Sequence, residues 1–272
     1  MKKYKRQFVL QFKILFSIIG SLYLIIISLL YFNQESLFFH ANKLDKNHQF
    51  TFLEKHEEVT IKTSDKINLH GLLFKAENSK GLVFYLHGNA GNVDEWGNIA
   101  ENYTHLGYDI FILDYRGFGK SEGEISSEEQ LFSDISSAYN QLKKQYKEEN
   151  IIITGYSIGS GMAAYLASKN NPKSLILQAP YYCLEDLATE KFPIVPNFVV
   201  KYKIPTFKYL KKIKSPIFIF HGYDDVVIPY ENSLKLKSIF KPIDKLVSLE
   251  KQGHLGINDN EQFLFELKRI LN

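Results

Sequence analysis

The chain has 272 residues, 45% hydrophobic and 14% aromatic, which supplies apolar surface for one sizeable core and excludes a disordered protein. Its single cysteine, Cys183, excludes a disulfide scaffold. The net charge of +3 is positional: Lys2, Lys3, Lys5, Arg6 and Lys13 precede the first acid, and taking those five from 33 cations leaves 28 against 30 anions, so the body lacks the basic excess of a nucleic-acid surface.

Residues 1–13 read as a basic stub. Ile14 to Phe32 then run uncharged for about 19 residues, roughly 28 Å as a helix, enough to cross a bilayer. A buried core helix would carry a polar face, and a cleaved signal would be shorter and end at small residues, whereas this run exits through Leu30-Tyr31-Phe32-Asn33-Gln34. An uncleaved single-pass membrane anchor is therefore expected. Five cations precede it, and only Lys43 and Lys46 follow it closely. The positive-inside rule thus expects a cytoplasmic amino terminus and an extracytoplasmic body.

Residues 33–56 are polar and irregular, as in a tether. Glu57–Thr63 and Ile67–Phe74 alternate apolar with polar residues around Ser64-Asp65-Lys66, which predicts a hairpin. Six short apolar runs follow: Gly81–His87, Asp109–Asp114, Ile151–Gly155, Ser174–Gln178, Pro216–His221 and Lys245–Glu250. Helical spacing appears over Glu128–Lys147, Gly159–Lys169, Glu231–Phe240 and Asn260–Leu271. Buried strands alternating with amphipathic helices predict a mostly parallel sheet covered on both faces, within one domain over residues 57–272. Pro180 to Lys214, with Pro193, Pro196 and Pro205, breaks the rhythm and reads as a cap, or as an ordinary helical connection, at the carboxyl edge where such sheets bind ligands.

Gly155-Tyr156-Ser157-Ile158-Gly159 is a G-x-S-x-G placed between a strand and a helix, the setting in which its serine stands exposed on a sharp turn. Serine needs a base that is itself oriented by an acid, in the chain order Ser, Asp/Glu, His. His254 follows the run Lys245–Glu250, and the pair Asp224-Asp225 follows Pro216–Phe220, so each lies just past a strand on one rim. Asp225 is favoured over Asp224 because similar sequences read H-G-x-x-D here. His87 and His221 read as strand-end residues bonding backbone, and His40, His48, His56, His70 and His105 as surface or core residues. The oxyanion of a tetrahedral intermediate would take the backbone N–H of Ile158 and, from the glycine-containing loop His87–Asn92, that of Asn89. Phosphate-cradling fingerprints, a metal-binding H-E-x-x-H and a cysteine pair are all missing, so neither metal nor cofactor is expected. Cys183 shows no helix-start or basic context and reads as a packing residue.

Together with Gly155–Gly159, His221–Pro229 and Gly253-His254, the motifs His87–Asn92 (H-G-N-A-G-N) and Asp114–Ser121 (D-Y-R-G-F-G-K-S) resemble the α/β-hydrolase superfamily, specifically its membrane-anchored branch, over residues 57–272. The resemblance implies an α/β-hydrolase fold with a short cap near 180–214 and a nucleophile, acid and base at Ser157, Asp225 and His254. It implies a structural role for Asp114–Ser121. The expected activity is hydrolysis of carboxylic esters or thioesters in an acylated small molecule, lipid or acyl-protein. Amide cleavage by a peptidase of the same fold and a non-catalytic binding protein are the alternatives.

Overall fold

The computed structural model describes residues 2–272; Met1 and the side chains of Lys2 and Lys3, part of the expected basic stub, lie outside the described residues. The apolar segment forms helix α1, Lys2–Phe32, which begins well before the expected span because nothing between Lys2 and Ile14 breaks a helix. Its stretch Tyr4–Phe32 is long and apolar enough to cross a membrane, and its most apolar window is wholly unburied.

After α1 the chain turns at once into α2, Gln34–Phe38, and the following His40–Ala41 pairs in parallel with Ala90–Gly91. The segment read as polar and irregular is thus fastened to the body at both of these points. Gln34 is buried; its amide donates to the Val199 carbonyl at 2.7 Å and accepts from the Lys201 N–H at 2.8 Å. Glu35 takes the Lys201 ammonium at 3.2 Å and the Tyr202 hydroxyl at 3.0 Å. Composition gives no warning of this, because each bond joins residues far apart in sequence.

The hairpin forms from β1, His56–Lys62, and β2, Asn68–Phe74, in antiparallel register. Its turn closes with the Thr63 N–H on the Ile67 carbonyl at 2.9 Å, and Lys66 takes a left-handed φ of 69°. The apolar runs become β3, Leu82–Leu86; β4, Asp109–Leu113; β5, Ile151–Tyr156; β6, Ser174–Gln178; β7, Ile217–Gly222; and β8, Lys245–Leu249. Across the eight-stranded sheet the order is β1-β2-β4-β3-β5-β6-β7-β8, with β3 to β8 mutually parallel and β2 antiparallel to β4.

Strand periodicity splits the core in two. Leu82, Phe84 and Leu86 of β3 pack on one face with Phe111, Ile153 and Leu177, while Val83 and Tyr85 pack on the other with Ile110, Ile112 and Ile152. Because both faces are covered, the strands need no polar side, which is why they read as unbroken apolar runs. The first face is covered by α3, Glu128–Leu142, and α4, Ile158–Ser168. Helix α3 starts at Ser127, whose side chain accepts the Gln130 N–H at 3.1 Å. It stops short of the expected Lys147, where Tyr146 turns inward so that the Lys75 ammonium reaches its hydroxyl at 3.0 Å.

Three short helical turns spanning Val93–Thr104, unmarked in the sequence, cover the second face with the carboxyl-terminal helix Glu261–Leu271 through Tyr103, Phe263 and Leu267. Between β6 and β7 the proline-bearing excursion carries α5, Leu184–Lys191, and α6, Thr206–Leu210. Helix α7, Glu231–Lys237, joins β7 to β8, and α8 is the helix Glu261–Leu271.

Candidate active site

Strand β5 ends at Tyr156, and α4 begins two residues later at Ile158, so Ser157 must reverse the chain alone. It does so at φ 53° and ψ −121°, a left-handed conformation that costs of order 1–3 kcal/mol for a side-chain-bearing residue. Two glycines permit the turn. A Cβ on Gly155 would stand 2.4 Å from the Gly159 carbonyl oxygen, and one on Gly159 would stand 2.2 Å from that of Leu86. Both clashes are with backbone, which cannot swing away. Gly159→Ala is expected to destabilise the fold by more than about 2 kcal/mol and to cut activity sharply, measurable as a drop in denaturant midpoint. The turn is also pinned from the neighbouring strand, where the Ser157 N–H donates to the Gln178 carbonyl at 2.9 Å.

At the carboxyl end of β7, Asp225 is buried and Asp224 exposed. Beyond β8, His254 projects between the acid and the serine. Its Nε2 lies 2.9 Å from Ser157 Oγ and its Nδ1 2.7 Å from Asp225 Oδ2. Three residues from three strand ends therefore form one hydrogen-bonded line, and Asp225, not Asp224, makes the contact.

Asp225 is held from four sides. Its Oδ1 accepts the N–H groups of Val227 at 2.9 Å and Ile228 at 2.8 Å. Its Oδ2 faces His254 and also His221 Nε2 at 3.2 Å. Burial alone would raise this carboxyl, but the hydrogen bonds from His221, His254 and the Ile228 N–H outweigh it and hold the group well below the usual carboxylate range. A depressed native pKa contributes stability that is complete above the unfolded value, about 3.9, and fades as pH falls through the native one. The stability difference between wild type and Asp225→Asn is accordingly expected to be full near pH 6 and to shrink on acidification toward pH 3, read from urea midpoints.

His221 bonds backbone, as the sequence suggested, but not only backbone. Its Nε2 faces the Ile228 carbonyl at 2.9 Å as well as Asp225, so that nitrogen carries a proton. Its Nδ1 lies 2.6 Å from Ser233 Oγ on α7, which fixes the ring plane. A second residue outside the sequence reading is Tyr156, whose hydroxyl donates to the His254 carbonyl. The only trace of either in the sequence is adjacency to a motif: the histidine that opens H-G-x-x-D, and the variable position of G-x-S-x-G.

The loop after β3 brings Asn89 to the same place. Asn89 and Ile158 both line a cavity of about 270 Å³ that opens over Ser157. The Asn89 carbonyl accepts the His40 N–H at 2.7 Å, and the Asn92 side chain caps the next helical turn by accepting the Asp94 N–H at 2.9 Å. His87 is fully buried against Tyr115; its Nδ1 donates to the Gly88 carbonyl at 2.8 Å, and burial pushes its pKa down, which keeps the ring neutral. Asp114–Ser121 holds this loop from beneath. Asp114 Oδ1 accepts the Val93 N–H at 2.9 Å, the Tyr115 hydroxyl donates to the His87 carbonyl at 2.8 Å, and Arg116 clamps Asp134 and Asp65. That is scaffolding, in line with the structural role the motif implied.

Cys183 differs from expectation in one respect: it sits at the amino-terminal cap of α5. The thiol nonetheless points to the Lys203 carbonyl at 3.3 Å, and burial pushes its pKa up, which removes thiolate character.

Residues 77–209 match the family described as Serine aminopeptidase, S33. Over 202 residues the chain is 31% identical to alpha/beta hydrolase domain-containing protein 17B of Homo sapiens, covering 72% of this chain and 67% of that one. It is 30% identical over 223 residues to an uncharacterized protein of Acanthamoeba polyphaga mimivirus, with 73% of each chain covered. Among solved structures, an esterase of Pyrococcus furiosus superposes with a TM-score of 0.69 at 20% identity, over 86% of this chain and 96% of that one. At that identity the likeness is one of fold.

Proposed function

From the premise that this chain belongs to the α/β-hydrolase superfamily, we propose that it is a membrane-tethered serine hydrolase that cleaves carboxylic esters or thioesters. The observation that carries this reading is the line Ser157 Oγ, His254, Asp225, with contacts of 2.9 and 2.7 Å. Ser157 attacks the acyl carbonyl as His254 Nε2 takes its proton. Asp225 keeps the other ring proton on Nδ1 and balances the charge that forms on the imidazole. The N–H groups of Ile158 and Asn89 receive the oxyanion; Ile158 is the first residue of α4, whose leading N–H groups have no partner within the helix. His254 then gives the proton to the departing oxygen or sulfur. Water, activated by the same ring, cleaves the acyl-enzyme and frees Ser157.

The lining of the cavity favours an acyl group over a peptide. Leu37, Phe38, Leu184, Leu187 and Phe192 surround it, and among the described residues Lys191 is its one charged group. An aminopeptidase would need a carboxylate there for the substrate's α-ammonium, and among the described residues none lines it. Helix α1 would hold the body beside the bilayer, with the amino terminus cytoplasmic and the body on the other side, as the five leading cations favour.

A fluorophosphonate probe is the direct test. It should label wild type and fail on Ser157→Ala. Labelling that survives the substitution removes Ser157 as nucleophile, and a folded wild type that takes no label supports a non-catalytic binding protein instead.

A further inference from the structure

Beside the cavity at Ser157 lies a second, of about 210 Å³, reaching back to Leu30 near the end of α1. Leu37, Phe38, Ala188 and Phe192 wall both, so the two are neighbours across shared side chains. The second is lined by aliphatic and aromatic groups apart from Gln34, whose amide is already used by the backbone of Val199 and Lys201. Two apolar cavities thus stand side by side between the nucleophile and the membrane helix.

Its outer wall is the cap stretch 192–200, and the depth of that stretch can be read from α1. Tyr31, with the Lys201 ammonium 4.7 Å above its ring and Glu35 close by, has the composition of a headgroup layer. Tyr23 stands about 12 Å further down the helix axis, at 1.5 Å per residue. Yet the Tyr23 hydroxyl donates to the carbonyl of Ile194 at 2.9 Å, so the cap descends alongside the span. Around that contact the stretch exposes Phe192 (59%), Ile194 (63%) and Phe198 (82%), apolar surface that would be costly in water.

We propose that the cap stretch 192–198 is immersed in the bilayer beside α1 and that the second cavity is a lateral portal, through which the long acyl chain of a bilayer-resident ester or thioester passes to Ser157. This deepens the hydrolase reading and rests on it. The alkyl chain never crosses water: it leaves the lipid phase between Leu30 and Val195, and its carbonyl arrives at the nucleophile. Ser157 and Asn89 line the first cavity and not the second, so the leaving group departs at the end away from Leu30.

Two measurements on the full chain in phosphatidylcholine vesicles test this. Val195→Trp fills the second cavity alone, and is expected to lower the rate ratio of p-nitrophenyl palmitate in the vesicles to p-nitrophenyl acetate in water at least tenfold. A ratio that stays at the wild-type value overturns the portal. Phe198→Trp adds an exposed reporter to the single native Trp96, whose emission in wild type is the baseline. Phosphatidylcholine brominated on its acyl chains should quench the added emission; emission that brominated lipid leaves untouched overturns the immersion, whatever the activity of the first variant. A wild type that hydrolyses neither ester defeats the hydrolase reading instead, and the quenching result still decides the position of the cap.

Discussion

Ser157→Ala and Ser157→Gly are each expected to lower kcat/KM by about four to six orders of magnitude, and the glycine variant is expected to melt above the alanine variant. The loss of rate is common to both because each removes the only hydroxyl that His254 Nε2 meets at 2.9 Å. Their stabilities separate because the strain belongs to the backbone. Alanine keeps a Cβ at φ 53°, ψ −121°, while glycine enters that region freely. Relief of about 1–3 kcal/mol, less roughly 0.5–1 for the added freedom of an unfolded glycine, leaves a net gain between about 0 and 2.5 kcal/mol, centred near 1. At this chain length that corresponds to roughly 2–4 °C in melting temperature per kcal/mol. Equal melting of the two variants would mean that the turn stores no more than the roughly 0.5–1 kcal/mol that the freer unfolded glycine offsets.

Asp225→Asn is expected to reduce kcat by about 10⁴-fold while leaving the serine in place. The amide oxygen can take over Oδ1, since the N–H groups of Val227 and Ile228 at 2.9 and 2.8 Å both demand an acceptor there. That assignment turns the NH₂ toward His254 and His221. A donor facing His254 Nδ1 forces the proton onto Nε2, and a protonated Nε2 cannot accept from Ser157. His221, whose Nε2 already carries a proton for the Ile228 carbonyl, then faces a donor as well, so the amide has no comfortable orientation. The readout that separates this from unfolding is fluorophosphonate labelling, which should become slow but still go to completion on Ser157. Abolition of labelling in folded protein would show that Asp225 does more than set the tautomer.

The fold and the line of three side chains were legible because both depend on local pattern. Ile151–Thr154 is β-branched and leads into a glycine turn, and Ser157, Asp225 and His254 each lie within five residues of a strand end, so a parallel sheet brings them to one rim. What escaped the sequence depends on distant partners. The bends at Val93–Thr104 are too short for a helical period to register. The start of α5 at Leu184 lacks a capping side chain, so Cys183 gave no sign of its position. Leu37 and Phe38 wall the cavity only because Gln34 and Glu35 are bonded to residues 199–202, a pairing that no composition or spacing announces.

The docking of residues 34–41 also decides how a soluble form should be cut. Truncation at residue 56, where the eight-stranded sheet begins, would strip Leu37 and Phe38 from the wall beside Ser157 and leave the Asn89 carbonyl without the His40 N–H. Truncation just ahead of Gln34 sheds the helix and keeps every one of those contacts. The connecting segment, in other words, is shorter than it looks on paper, and its last part already belongs to the folded body.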